Sequence, residues 1–207
     1  MTLIELSHVI RAGMVTYPGL PGPEITAHPW PAPFTIARIA MVGNTGTYLD
    51  SPAHRHEGAD DLAAVPLDRM VDLPGLVVRV DAGVTAIDTS HFATYDVGGC
   101  AVLVHTGWDR HFGTKRYGAG GHPHLTSDAV DWLVTHDAAV VGIDSVNIDG
   151  TETRERPAHT GLLAAGIPIV EHLTGLAELP RSGFRFHAVP PRIAGMTSFP
   201  VRAYAVL

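Results

Sequence analysis

Asp50 and His54 stand four positions apart across Ser51-Pro52-Ala53. They pair a carboxylate with an imidazole, two groups that exchange protons or hold a divalent cation near neutral pH. Immediately upstream runs Asn44-Thr45-Gly46-Thr47-Tyr48-Leu49. Side chains alternate along an extended chain, so Asn44, Gly46, Tyr48 and Asp50 are expected to share one face. Gly46 leaves room beside its neighbours, and Pro52 ends the run and turns the chain towards His54. A carboxamide, a phenol and a carboxylate on one wall, with an imidazole past the corner, suit acid–base or cation-assisted chemistry at a rigid strand end. The same residues would equally serve as a hairpin arm with a polar outer face.

Other chemistries find little support. The sequence holds no Gly-x-Ser-x-Gly elbow, no glycine-rich phosphate loop and no dinucleotide fingerprint. Its one cysteine, Cys100, opens the apolar run Cys100-Ala101-Val102-Leu103-Val104 and is expected to be a buried small hydrophobe, without the electropositive loop setting of a nucleophile. A formal charge of -7 argues against a nucleic-acid groove or an anionic membrane surface as partner. Met1-Thr2-Leu3-Ile4-Glu5-Leu6 reads as a first strand rather than a signal peptide, and no apolar run reaches membrane-spanning length. With a lone cysteine, these features fit a reducing cytoplasm. Thirteen histidines are the compositional oddity.

The elements that must position the site follow from pattern. Residues 3–6 read as a strand, and the segment from Thr16 to Pro23 as a turn-rich loop carrying Tyr17. Three prolines around Trp30 deny regular structure to residues 28–33, and 34–42 alternates as a strand feeding the opening stretch. Residues 76–80 and 101–104 are short apolar runs of the kind buried in sheets, and 113–124, with four glycines, is a flexible loop. Thr126 or Ser127 caps a helix with Asp128 and Asp131 near its positive end. An apolar strand over 138–143 then delivers Asp144 to its carboxyl end, where open α/β sheets place chemistry. A short helix over 160–165, closed by Gly166, precedes a strand over 167–170 that runs into Glu171 and His172. Residues 184–189 and 201–206 finish the strands. No repeat or linker interrupts 1–207, so one α/β domain is expected over the whole chain.

At this point the ordered motifs matter together. The opening stretch from Asn44 to His54 resembles the motif His-x-Gly-Thr-His-x-Asp-x-Pro-x-His of the putative cyclase family, which includes bacterial kynurenine formamidase and isatin hydrolase. Tyr17-Pro18-Gly19, Thr106-Gly107-Trp108, Val141-Gly142-Ile143-Asp144, Ala158-His159, Gly166 to Glu171 and Ser198-Phe199-Pro200-Val201-Arg202-Ala203 extend the resemblance over nearly the whole chain. It implies a swivelling β/β/α fold with a mixed sheet, a small aromatic or cyclic substrate, and a homo-oligomer that completes its pockets with a neighbouring chain.

Residue by residue, the resemblance makes Asp50, His159 and Glu171 metal ligands and His54 a proton shuttle. Both early motif histidines are replaced, by Asn44 and Tyr48. A carboxamide oxygen binds zinc poorly, and a phenol must lose a proton of pKa near ~10 to ligate well. One divalent ion, zinc or manganese, is therefore expected on Asp50, His159 and Glu171, supporting hydrolysis of an aryl or cyclic amide or a lactone. The competing expectation has no metal: a cyclase or dehydratase in which Tyr48 and the two carboxylates act as acid and base. A third is a pocket that binds ligand without turnover. Tyr17 and Trp30 are expected to close over the substrate beside Asn44. Asp144 and Asp149 are expected to support ligating imidazoles. His122 and His124 read as solvent-facing, and His172 as pointing to the strand face opposite Glu171.

Overall fold

A computed structural model describes residues 1–31 and 33–207. In chain order the strands are β1 (Leu3–Glu5), β2 (Glu24–His28), β3 (Ile36–Ala40), β4 (Tyr48–Asp50), β5 (Leu73–Arg79), β6 (Ala86–Ile87), β7 (Ala101–His105) and β8 (His124–Leu125). Then come helix α1 (Ser127–Thr135), β9 (Val140–Ile143), helix α2 (Pro157–Ala164), β10 (Ile169–Glu171), β11 (Ser182–His187), β12 (Ser198–Pro200) and β13 (Tyr204–Val206). Nine of these form one mixed sheet in the order β1-β13-β11-β5-β7-β9-β10-β4-β12. Its centre, β5-β7-β9-β10, is parallel, while β11 on one side and β4 on the other join antiparallel. This is a single α/β domain of the swivelling β/β/α type with a mixed sheet.

The central strands are apolar along most of their length because both sheet faces are covered, and their polar residues Arg79, His105 and Glu171 stand at the carboxyl ends. Val78, Val102, Val104, Val141 and Ile169 point into one core, packed by Ala129, Val130 and Leu133 of α1 and Leu162 and Leu163 of α2. Val77, Leu103, Val140 and Val170 point the other way, where Leu49, Phe184, Phe186 and Ala205 from the flanking strands curl round to meet them. Among the described residues no helix is long and apolar enough to cross a membrane.

Several local expectations need correction. Asn44 to Thr47 is not extended: strand geometry begins at Tyr48, and Gly46 sits at φ +66°, a left-handed turn that glycine tolerates. Glu24–His28 is a strand, paired with β3 as a separate hairpin. The stretch 28–33 includes Ala32, which lies outside the described residues, and His28 closes β2. The second helix starts at Pro157 rather than Thr160, because proline's missing N–H costs nothing in a first turn. Thr126 caps α1 by position, yet its hydroxyl donates to Ile87 O and Asp128 instead of accepting from the helix. Ser198–Pro200 is a strand that the sequence reading passed over. Cys100 is half-buried at the mouth of β7, not enclosed.

Candidate active site

Register assembles the site. On β4 and β10, Tyr48 stands opposite Glu171 and Asp50 opposite Ile169; on β4 and β12, Ser198 stands opposite Asp50. Directly opposed residues of antiparallel strands lie on one face, so Tyr48, Asp50, Glu171 and Ser198 converge although 150 positions separate the first from the last. A single 3-10 turn, Pro52–His54, then brings His54 back over the strand end. His159 arrives from α2, aimed at the same spot.

Asp149 sets the aim of His159. Its carboxylate accepts the backbone N–H groups of Ala158 (2.7 Å) and His159 (3.1 Å) at the start of α2, and its Oδ2 lies 2.6 Å from His159 Nδ1. With Nδ1 donating to Asp149, Nε2 faces Asp50 Oδ2 at 3.7 Å and Glu171 Oε1 at 4.0 Å. Burial disfavours a charged His159, but the Asp149 bond and the facing Asp50 and Glu171 carboxylates outweigh it and push its pKa to about 10. Burial would raise Asp50, yet His159, His54 and the Ser198 hydroxyl hold it below the usual carboxylate value. Glu171 goes the other way, to about 7, because burial and the Asp50 charge exceed the help from His159.

Both oxygens of Glu171 already carry a donor: the Tyr48 hydroxyl on Oε2, and the Ile148 N–H on Oε1 at 2.7 Å. Tyr48 is buried and its pKa is raised well above 10.0, first by burial and then by the Glu171 and Asp50 charges, so it is a protonated donor and no anionic ligand. Ser198 donates to Asp50 Oδ1 and lies 2.9 Å from His54 Nδ1. Its proton being given to the carboxylate, the serine oxygen accepts from Nδ1, which leaves the lone pair of His54 on Nε2.

The donor set accommodates one cation. Among the described residues Asp50 Oδ2 is a buried carboxylate oxygen without a hydrogen-bond partner, a position that an ion would satisfy. It faces an imidazole nitrogen at 3.7 Å, a spacing compatible with two ligands sharing an ion at bonds of about 2.0–2.2 Å. Ligand atoms of Asp50, His54 and His159 lie within 4.8 Å of one another, which puts His54 in the group where the sequence reading had Glu171. Glu171 retains a free lone pair on each oxygen, since a carboxylate offers about four acceptor sites.

Tyr17, Asn44, Tyr48, His54, His159 and Glu171 line one cavity of about 380 Å³. Trp30 is 58% exposed and stands outside it. Asp149 serves the imidazole of His159, whereas Asp144 binds the Thr106 and Gly107 N–H groups and the Thr106 hydroxyl, pinning the turn after β7. His56 bonds to the Thr160 carbonyl of α2 and does not enter the site. His122 is buried, not solvent-facing, bonded to Asp149 O at 2.9 Å. His172 leaves the strand with φ +59°, so alternation fails there: its buried ring packs 5.1 Å from that of Tyr48 and its Nδ1 shares a hydrogen bond with the Tyr117 hydroxyl at 3.0 Å. Asn147, another lining residue, was missed; only its place in the loop after β9 could have signalled it.

Comparison with known proteins adds ancestry to geometry. The chain matches the Cyclase family model, described as "Putative cyclase", over residues 4–150. The kynurenine formamidase of Salinibacter ruber (strain DSM 13855 / M31) is 27% identical over 213 residues, spanning 98% of this chain and 96% of the relative. Isatin hydrolase A from Labrenzia aggregata, bound to benzyl benzoate, has the same fold at a TM-score of 0.86 and 20% identity, over 99% of this chain and 93% of that one. A predicted metal-dependent hydrolase from Bacillus stearothermophilus aligns at a TM-score of 0.82 and 26% identity, over 99% and 97% of the two chains.

Proposed function

Because the chain belongs to the cyclase family, we propose that it is a hydrolase of a small aryl or cyclic amide, or of a lactone, working with one divalent ion. The observation that carries this reading is the unpartnered Asp50 Oδ2, set opposite a His159 Nε2 whose other nitrogen Asp149 holds. Similarity to a kynurenine formamidase supports an aryl amide as substrate class, and similarity to a metal-dependent hydrolase supports the ion. Asp50, His159 and Glu171 would hold it, the ion taking the place of the proton that the surrounding carboxylates favour on His159 Nε2. Such an ion, zinc or manganese, supplies Lewis-acid polarisation of a carbonyl and makes water acidic at about neutral pH.

The chain's own groups do the rest. Tyr17 and Asn44 wall the cavity and orient the ring and its carbonyl. His54, anchored through Nδ1 to Ser198, takes the proton of the attacking water at Nε2 and returns it to the leaving nitrogen or oxygen. Tyr48 fixes Glu171 by donating to it, which favours its ionised form against the burial that opposes it. The test combines elemental analysis of protein purified without chelator with turnover of an aryl formamide against added zinc or manganese. About one ion per chain, with activity lost on chelation and restored by metal, is expected. Full turnover by metal-free protein sinks the reading.

One observation favours a second reading, a metal-free cyclase or dehydratase. Two neighbouring carboxylates with divergent affinities for a proton, Glu171 at about 7 and Asp50 lowered, form an acid and a base without any ion. Metal-independent activity on such a substrate would select it. We also propose a homo-oligomer in the cytoplasm. The β2–β3 hairpin is exposed at every position and carries Ile25 and Ile39, 44% and 50% exposed, with Phe34 at its turn, 69% exposed. A two-stranded ribbon is marginal alone, and a second copy of this chain would cover it.

A further inference from the structure

We infer that Gly118 is a positioning residue for the substrate pocket, because the ring of Pro18 occupies the space a side chain there would need. This rests on reading the Tyr17-lined cavity as the substrate site. A Cβ on Gly118 would stand 2.2 Å from Pro18 Cγ and 2.9 Å from Pro18 Cδ, distances no packed carbons sustain. Backbone conformation makes no such demand. Gly113, Gly120 and Gly121 of the same loop have φ of +76°, +85° and +65°, but Gly118 is not among the left-handed glycines. Alanine is therefore allowed at 118 by its backbone and refused only by Pro18.

The two sides of this contact differ in rigidity, which decides what would move. Tyr117, next to Gly118, is 3% exposed, accepts the Trp108 indole N–H at 3.0 Å and bonds through its hydroxyl to His172 Nδ1 at 3.0 Å. Opposite, Thr16 is fixed by the Gly46 N–H at 2.7 Å, but Pro18, Gly19 and Leu20 are exposed and bridged by one Leu20 N–H to Tyr17 carbonyl bond of 3.2 Å. A methyl group at 118 therefore displaces Pro18, and Tyr17 with it, while the Tyr117 side stays. Tyr17 and Pro18 both line the cavity with His54 and His159. Gly118 thus sets how closely Tyr17 approaches a bound ring, without touching that ring itself.

The experiment compares full-length Gly118→Ala, Pro18→Ala and the double variant by hydrogen exchange and by steady-state kinetics on an aryl formamide. Gly118→Ala should speed exchange of the Leu20 amide, the one bonded to the Tyr17 carbonyl, and raise KM by about tenfold, with kcat within about twofold, the signature of lost ground-state positioning. In the double variant the clash is gone, so exchange and KM should return to the values of Pro18→Ala alone. Unchanged exchange in Gly118→Ala, or a double variant as impaired as the single, overturns the inference. Should the wild-type protein turn over no aryl formamide, the aryl-amide reading falls by itself, and the exchange data alone decide the Pro18 contact.

Discussion

His54 and His159 are both imidazoles beside Asp50, yet their surroundings differ in the direction that the proposed shuttle and ligand roles require. His159 is nearly enclosed and tied to a buried carboxylate; His54 keeps 31% of its side chain in contact with solvent and is tied to a serine hydroxyl. A ligand needs a fixed lone pair, whereas a shuttle needs access to water. His54→Ala is accordingly expected to lower turnover by a factor on the order of 10² or more while metal content and melting temperature hold. Loss of the ion in that variant, measured by elemental analysis, would instead make His54 a ligand. His172 carries a pH prediction. Burial lowers its pKa from 6.5 to about 3, so the unfolded chain binds a proton below pH 6.5 that the native state refuses. This contribution is present above pH 6.5 and is lost as pH falls through about 3. Against His172→Asn, which tolerates the left-handed backbone, the wild-type protein should lose on the order of 3 kcal/mol between pH 6.5 and about pH 4 in urea titrations. At this scale Asp50, His54, His159 and Glu171 were legible because their types and order are shared with a family. Tyr48's commitment to Glu171 was not, since it depends on cross-strand register that no local spacing encodes.

Short strands β4, β10 and β12 contribute three residues each, and their registers put four site side chains together. The parallel centre was legible as apolar runs, because strands covered on both faces have nowhere to place polar residues. β12 escaped notice because Ser198-Phe199-Pro200 has too few residues to show alternation, and Pro200 is tolerated only because the strand lies at the sheet's edge. His172 defeated the alternation rule through its backbone, not its side chain. The helix layer is tightly docked: a Cβ on Gly161 of α2 would come 2.6 Å from Val130 Cγ1 of α1. Gly161→Ala should therefore cost about 1–3 kcal/mol in chemical denaturation, although alanine is the better helix former. A neutral or stabilising effect would mean the two helices can part without penalty.

The whole molecule presents one feature its body does not account for, the two-stranded arm. Its exposed Ile25 and Ile39 belong to a registered pair on one ribbon face, opposite each other on β2 and β3. If the proposed homo-oligomer forms through this arm, placing lysine at both positions should shift it towards a monomer in light scattering at micromolar concentration, with the domain's melting transition retained. An unchanged mass would show that the arm is not the contact. The exposed arm was not legible, because Ile36 to Ala40 reads as any half-buried strand until its neighbours are known.

The strand carrying Asp50 is sandwiched between partners that follow it by more than a hundred residues, and Ser198 comes from the edge strand near the end of the sequence. Synthesis must therefore pass Pro200 before the acidic pocket has its fourth wall, and a ribosome-bound chain lacking that strand lacks the Ser198 hydroxyl that holds Asp50 and His54, however well its parallel centre has formed. After denaturation, catalysis should return with the slowest folding phase and never ahead of it.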